Sequence, residues 1–239
     1  MGILSLLQGP RGSSASQPTP QTPFEVDSWA TSAFVGHTLV PLVGVYPFPL
    51  QELMLMTATV CRFEPSLIFE WGTNIGKSAR IFYEISKYFH IPTAIHNCNL
   101  PDDDDHVEHP HTQRGAMLQG LSGVTLHQGD GLTTSLRLWE EAGLPLFFLD
   151  DDHSYASIKR QIDGILEAVP DPVLLLHDTF LQSSESGYNI EPRRAVEESL
   201  AVCQGRFNAV HSGLSLLCMS LLYSTAPPAA KAGSSSLNT

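Results

Sequence analysis

Lysine is nearly missing from this chain: Lys77, Lys87, Lys159 and Lys231 are the only four among 239 residues. Lysine and arginine together number 13 against 25 aspartates and glutamates, a formal net charge of −12. A chain this acidic offers no basic patch with which to neutralise phosphates, so no nucleic-acid partner is expected. Cysteine is sparse too. Cys61, Cys98, Cys203 and Cys218 lie far apart without a C-x-x-C pair, which argues against a disulfide framework or a zinc site. Cys61, Cys98 and Cys218 sit in apolar surroundings and read as buried free thiols. Long hydrophobic runs are absent as well. The apolar stretch 34–50 is broken by Pro41, Pro47 and Pro49 and stays below bilayer-spanning length. Residues 1–7 are apolar but lack a basic region and are too short for a signal peptide. A cytoplasmic protein with no membrane partner is the expectation.

What is present is ordinary globular material, 42% hydrophobic and 16% charged, long enough for one α/β domain with extensions. Residues 1–23 include the Gln-, Pro-, Ser- and Thr-rich run 8–23 and read as a disordered extension, since such composition cannot bury a core. The stretch 24–62 reads as an irregular N-terminal cap followed by a helix over 50–61. A main domain follows over 63–223, and 224–239 reads as a flexible tail. In the main domain short apolar strands (67–71, 93–98, 124–128, 146–150, 173–177, 207–211, 215–221) alternate with helical spacing at 77–89, about 112–119, 133–142, 155–168 and 191–203. That alternation predicts a doubly wound, mostly parallel seven-stranded sheet with helices on both faces. The last two strands leave no room for a helix; Ser212-Gly213 reads as a tight turn and makes them an antiparallel hairpin.

The stretch 65–84, PSLIFEWGTNIGKSARIFYE, organises the rest. An apolar strand ends in Glu70, a turn holds Gly72 and Gly76, and a helix begins near Lys77. Gly76-Lys77-Ser78 matches the end of a phosphate-binding loop, but the first glycine of that motif would fall on Trp71. What fits is E-x-G-x-x-x-G over 70–76. Ligands of an open doubly wound sheet bind beyond the carboxyl ends of its strands. Those ends carry Glu70, Asn99, Asp130, Asp150 with Asp152 and His153, and His177 with Asp178. Such a polar row favours chemistry over scaffold, although strand-ending Asp and Asn also form turns and caps.

The segments LFFLDDDHSYASIKRQID (146–163) and VLLLHDTF (173–180), with the motif at 70–76, resemble class I S-adenosylmethionine (SAM)-dependent methyltransferases. The resemblance is to the family that includes cephalosporin-hydroxylase-type and macrolide O-methyltransferase proteins, and it covers about residues 48–221. It implies a Rossmann-like methyltransferase fold, SAM as cofactor, and Mg²⁺ or another divalent cation at the strand 4/5 edge. By the same resemblance Gly72 and Gly76, with Thr73 and Asn74, form the turn around the methionine part of SAM. Glu70 and Ser78 hydrogen-bond its polar groups, and Asp130 with Gly131 lies at the adenine edge. Asn99 stands where the family usually has an acidic residue for the ribose, with Asp102 as a substitute. Asp150, His177 and Asp178 would hold the metal, and His153, beside Asp150, would be the general base. Capping the following helix or packing on Tyr155 is the alternative for His153. Asp151 replaces a small residue of the family pattern.

The expected function is O-methylation of a small-molecule acceptor; the alternative, favoured by Asn99 and Asp151, is a non-catalytic ligand-binding or assembly protein. His106, Glu108, His109 and His111 read as a solvated loop rather than a ligand set. Trp71 and Tyr155 read as core more readily than as pocket walls. The apolar cap offers a surface for a homo-oligomer.

Overall fold

The computed structural model describes residues 28–99, 113–139, 143–180, 191–213 and 218–225. Within them, seven strands form one sheet: β1 Leu67–Trp71, β2 Ala94–Asn99, β3 Val124–Gln128, β4 Pro145–Leu149, β5 Val173–Leu176, β6 Phe207–His211 and β7 Ser220–Ser224. Their order is β3-β2-β1-β4-β5-β7-β6. Strands β1 to β5 are parallel, and β7 runs antiparallel between β5 and β6. The chain leaves β1 for β2 and β3 on one side and returns to build β4 and β5 on the other. The strand order therefore reverses between β1 and β4, which opens a crevice at their carboxyl ends.

Successive residues of a strand face opposite sides, and both sides of this sheet are covered. Ile68, Leu146, Phe148, Val173 and Leu175 pack into one core with α3 (Leu50–Phe63) and α4 (Lys77–Tyr88). Phe69, Trp71, Phe147, Leu149, Leu174 and Leu176 pack into a second with α6 (Tyr155–Ala168) and α7 (Glu191–Val202). Double burial explains why β4 and β5 read as unbroken apolar runs. Burying one such Phe or Leu stabilises the chain by about 1.5–3 kcal/mol. A fifth helix, α5 (Gly131–Leu138), packs beside β1 and β2.

Three local expectations change. The cap is helical rather than irregular: α1 (Trp29–Phe34) runs through a wider π-type turn at Val35–Leu39 into α2 (Val40–Val43). Pro41, which has no N–H to give, falls in the first turn after that widening. The segment near 112–119 forms only a short 3₁₀ turn, Ala116–Leu118. The last strand begins five residues later than expected, and Ser212-Gly213 is not a two-residue turn. The Ser212 backbone N–H donates to the Met219 carbonyl at 2.9 Å, and the Met219 N–H donates to Ser212 Oγ at 2.8 Å. These bonds close the β6–β7 pair on a longer connection, which periodicity alone does not reveal. The expected disordered extension, the tail from 226 onward and the acidic, His-rich stretch 101–112 lie outside the described residues. Among the described residues no helix is long and apolar enough to cross a membrane.

Candidate active site

At the carboxyl end of β1, Glu70 is fully buried. Ser78, on the first turn of α4, donates its hydroxyl to Glu70 Oε1. Among the described residues Glu70 Oε2 is buried without a hydrogen-bond partner. Burial, with Asp150 and Asp151 adding to it against the Ser78 bond, pushes this carboxyl up to about 8. Gly72 follows at φ 96°, and a Cβ there would lie 2.0 Å from the backbone oxygen of Asp150. Glycine at 72 is thus required by the join between β1 and β4. Thr73 is buried and donates its hydroxyl to Asn97 Oδ1, while Asn97 Nδ2 stays buried and unpartnered. Asn74 has φ 40°, and its carbonyl accepts from the Gly115 N–H at 2.9 Å. Gly76 is the N-cap of α4 and packs against Leu118. The turn is therefore braced by protein from its far side.

At the ends of β2 and β3, the Asn99 carbonyl accepts from the Gly129 N–H at 2.7 Å. Asp130 caps α5: its Oδ1 accepts from the Thr133 N–H at 2.8 Å and from the Thr133 hydroxyl at 2.7 Å. Its Oδ2 accepts from Arg160 at 2.5 Å. Burial would raise this carboxyl, but the bonds from Arg160 and Thr133 outweigh it and bring it to about 2. Gly131 lies against the Trp71 ring; a Cβ there would meet it at 2.6 Å. Trp71 belongs to the core, its indole N–H donating to Ser135 Oγ at 2.8 Å. Tyr155 stacks beneath Arg194 and donates its hydroxyl to Glu198, both on α7.

The ends of β4 and β5 gather the strongest charges. His177, 4% exposed, places Nδ1 at 2.8 Å from Asp150 Oδ1 and 3.7 Å from Asp178 Oδ1. Its other nitrogen, Nε2, lies 3.3 Å from Glu52 Oε2, without the alignment of a hydrogen bond. Burial pulls the His177 pKa down, but Asp150, Glu52 and Asp178 together raise it well above its ordinary value. Asp178 has φ 54°, a left-handed conformation that Asp tolerates better than most residues. His153 sits above the group, with Nε2 3.6 Å from Asp150 Oδ1 and Nδ1 3.9 Å from Asp178 Oδ2. Its side chain keeps 27% of its surface exposed. Ser154, not His153, caps α6 by accepting from the Ser157 N–H, and Asp152 braces that turn by accepting from the Ser154 N–H at 2.9 Å. Asp151 accepts from Gln161 Nε2 at 2.9 Å.

Glu52 and Phe48 were not foreseen. Both precede β1 in the chain, Glu52 on α3 and Phe48 just before it. Phe48 is buried edge-on to the His177 ring, centroids 4.9 Å apart. Glu52 has no exposed surface, and among the described residues neither of its oxygens has a hydrogen bond. One signal was available: Glu52 is the single charged residue of an otherwise uncharged, mostly apolar helical stretch, 50–60, and buried glutamates are rare unless paired.

No protein-family model matches the sequence, and no curated protein matches it. Solved structures do. TomG, an O-methyltransferase from Streptomyces achromogenes in complex with SAM, superposes with a TM-score of 0.51 at 15% identity, over 84% of this chain and 91% of that one. The O-methyltransferase from Bacillus cereus in complex with SAH (S-adenosylhomocysteine) gives 0.51 at 13% identity, over 83% and 91%. The SAH-bound Podospora anserina methyltransferase PaMTH1 gives 0.51 at 16% identity, over 72% and 77%. This chain has the class I methyltransferase fold. In that fold the crevice between β1 and β4 is where Glu70 and the Asp150–His153 group face each other.

Two groups implied by the resemblance can be tested against these residues. For SAM the fit is good at the amino-acid end: the buried, unpartnered Glu70 Oε2 is short of a cationic partner, and an ammonium is one. For a divalent cation the fit fails. Asp150, His177 and Asp178 are brought together as expected, but Asp150 Oδ1 and His177 Nδ1 are bonded to each other. Among the described residues no group of three or more His, Cys, Asp or Glu side chains is arranged to hold a metal ion. An open cavity of about 410 Å³ lies elsewhere, between α3 and the end of β6, lined by Gln51, Met54, Leu55 and His211.

Proposed function

We propose that the chain is a SAM-dependent methyltransferase acting on a hydroxyl of a small-molecule acceptor in the cytoplasm. The observation that carries this reading is the Gly72–Asp150 contact. It places Glu70, which lacks a cationic partner, one strand away from a half-buried His153 flanked by two carboxylates. When bound, SAM supplies a sulfonium-activated methyl group for in-line displacement. Glu70 would hold the ammonium of its amino-acid end, and the 72–76 turn would shape the crevice beside it. His153 takes the proton of the attacking hydroxyl, because imidazole is the side chain whose ordinary pKa lies closest to neutrality. The proton of the acceptor hydroxyl would end on the His153 imidazole. Asp150 and Asp178 stabilise the resulting imidazolium, 3.6 and 3.9 Å away.

Thermal shift with SAH, SAM, ATP and NAD in parallel tests the cofactor. Stabilisation by SAH is expected; stabilisation by ATP without SAH overturns the reading. Binding of SAH without methyl transfer to any of a panel of hydroxyl acceptors would favour the non-catalytic alternative. The exposed Leu42, Val45, Tyr46 and Leu50 of the cap support pairing with a second copy, which light scattering checks.

A further inference from the structure

We infer that His177, clamped between Asp150 and Glu52, is a built-in cation that fills the place of a shared divalent metal at the β4/β5 edge. Three carboxylates, those of Glu52, Asp150 and Asp178, lie within 3.7 Å of one imidazole. Carboxylates gathered this closely repel one another unless a cation stands among them. The imidazole faces a carboxylate oxygen with each ring nitrogen, Nδ1 towards Asp150 and Nε2 towards Glu52. A carboxylate only accepts, so Nδ1 carries its proton toward Asp150, and a second proton on Nε2 faces the buried Glu52 at 3.3 Å. Phe48 closes the remaining side of the ring edge-on, and the side chain is almost wholly excluded from water.

Glu52 is the decisive member. A fully buried carboxylate with no hydrogen bond is costly unless a charge compensates it, and among the described residues His177 is the cationic group in contact with it. Glu52 thus acts as a positioning residue, holding His177 against Asp150 from α3, which precedes β1 in the chain. A hard divalent cation prefers oxygen ligands. Here the groups that would supply them are already bonded to the imidazole or face it. One of the negative charges beside His153 is in this way balanced without an ion to recruit, and the rest remains for His153.

The inference rests on the cluster and not on methyl transfer, so its test reads metal binding directly. Full-length protein freed of metal by chelation is titrated with MnCl₂ and with MgCl₂ by calorimetry. The wild type is expected to show no saturable binding, and its unfolding temperature is expected to be unchanged by EDTA. His177→Glu removes the cation and adds an oxygen donor, so Mn²⁺ affinity is expected to rise at least about tenfold. Glu52→Gln is expected to lower the unfolding temperature without creating a metal site. Saturable Mn²⁺ or Mg²⁺ binding to the wild type that Asp150→Asn abolishes overturns the inference. So does a folded His177→Glu that binds no better than wild type. If that variant fails to fold, the wild-type titration decides alone. Loss of SAH binding would count against the proposed function and leave this result untouched.

Discussion

The two ends of the crevice solve the same problem, a buried ionisable group, in opposite ways. At β1, Glu70 has one hydroxyl partner and, among the described residues, no cationic one, so burial drives its carboxyl toward the neutral form. At β4 and β5, His177 is as deeply buried, yet three carboxylates hold it charged. Desolvation acts on both; what differs is the number of opposite charges within about 4 Å. A buried carboxyl with no counter-charge of its own suits a cationic ligand, whereas the β4/β5 carboxylates already share a cation with one another. The contrast assigns the binding of a cationic group to the first end and internal electrostatics to the second.

The comparison can be broken at the join between the two ends. Gly72→Val places a branched side chain against the Asp150 carbonyl, where even a Cβ would sit 2.0 Å away. More than ~4 kcal/mol of stability should be lost, read as insoluble protein or a collapsed urea midpoint. His177→Ala strands Asp150, Asp178 and Glu52 without their cation; a loss of about 3–5 kcal/mol is expected in urea unfolding. A neutral result there would mean that the three carboxylates are not compensated by His177.

His153→Ala separates chemistry from stability. Turnover should fall by ~10²-fold or more, while SAH binding and the unfolding temperature stay near wild type, because Ser154 rather than His153 caps α6. Retained turnover would remove His153 as the base. The charge state of Glu70 gives a subtler readout. Its carboxyl ionises near 4.5 in the unfolded chain but only near 8 when folded. The stability it contributes is therefore complete below pH 4.5 and is lost as pH rises toward 8. Between pH 5 and 8 the unfolding temperature of the wild type should fall more steeply than that of Glu70→Gln. Smallest of all, Arg160→Ala removes a half-exposed ion pair with Asp130 and should cost below ~1 kcal/mol, while the Asp130 carboxyl rises from about 2.

Much of this was legible in the residue order, and the part that was not has a common cause. Strands β1 to β6 and helices α3 to α7 follow from apolar periodicity, because doubly buried strands and amphipathic helices write their burial into neighbouring residues. The row Glu70, Asp150, His153, His177 and Asp178 follows from the rule that strand ends face the ligand. The β7 placement was missed because the bonds between Ser212 and Met219 that close the pair are set by tertiary geometry.

Local sequence determined this protein's sheet, its crevice and the polar residues along it, since each depends on spacing within one strand or helix. The tertiary structure alone decided how those residues divide their charges. Glu52 and Phe48 reach His177 across more than a hundred residues of chain, Arg160 engages Asp130 from another helix, and the Asp150 carbonyl fills the space beside Gly72. Charge and packing at these points depend on distance in space, which one-dimensional periodicity does not carry.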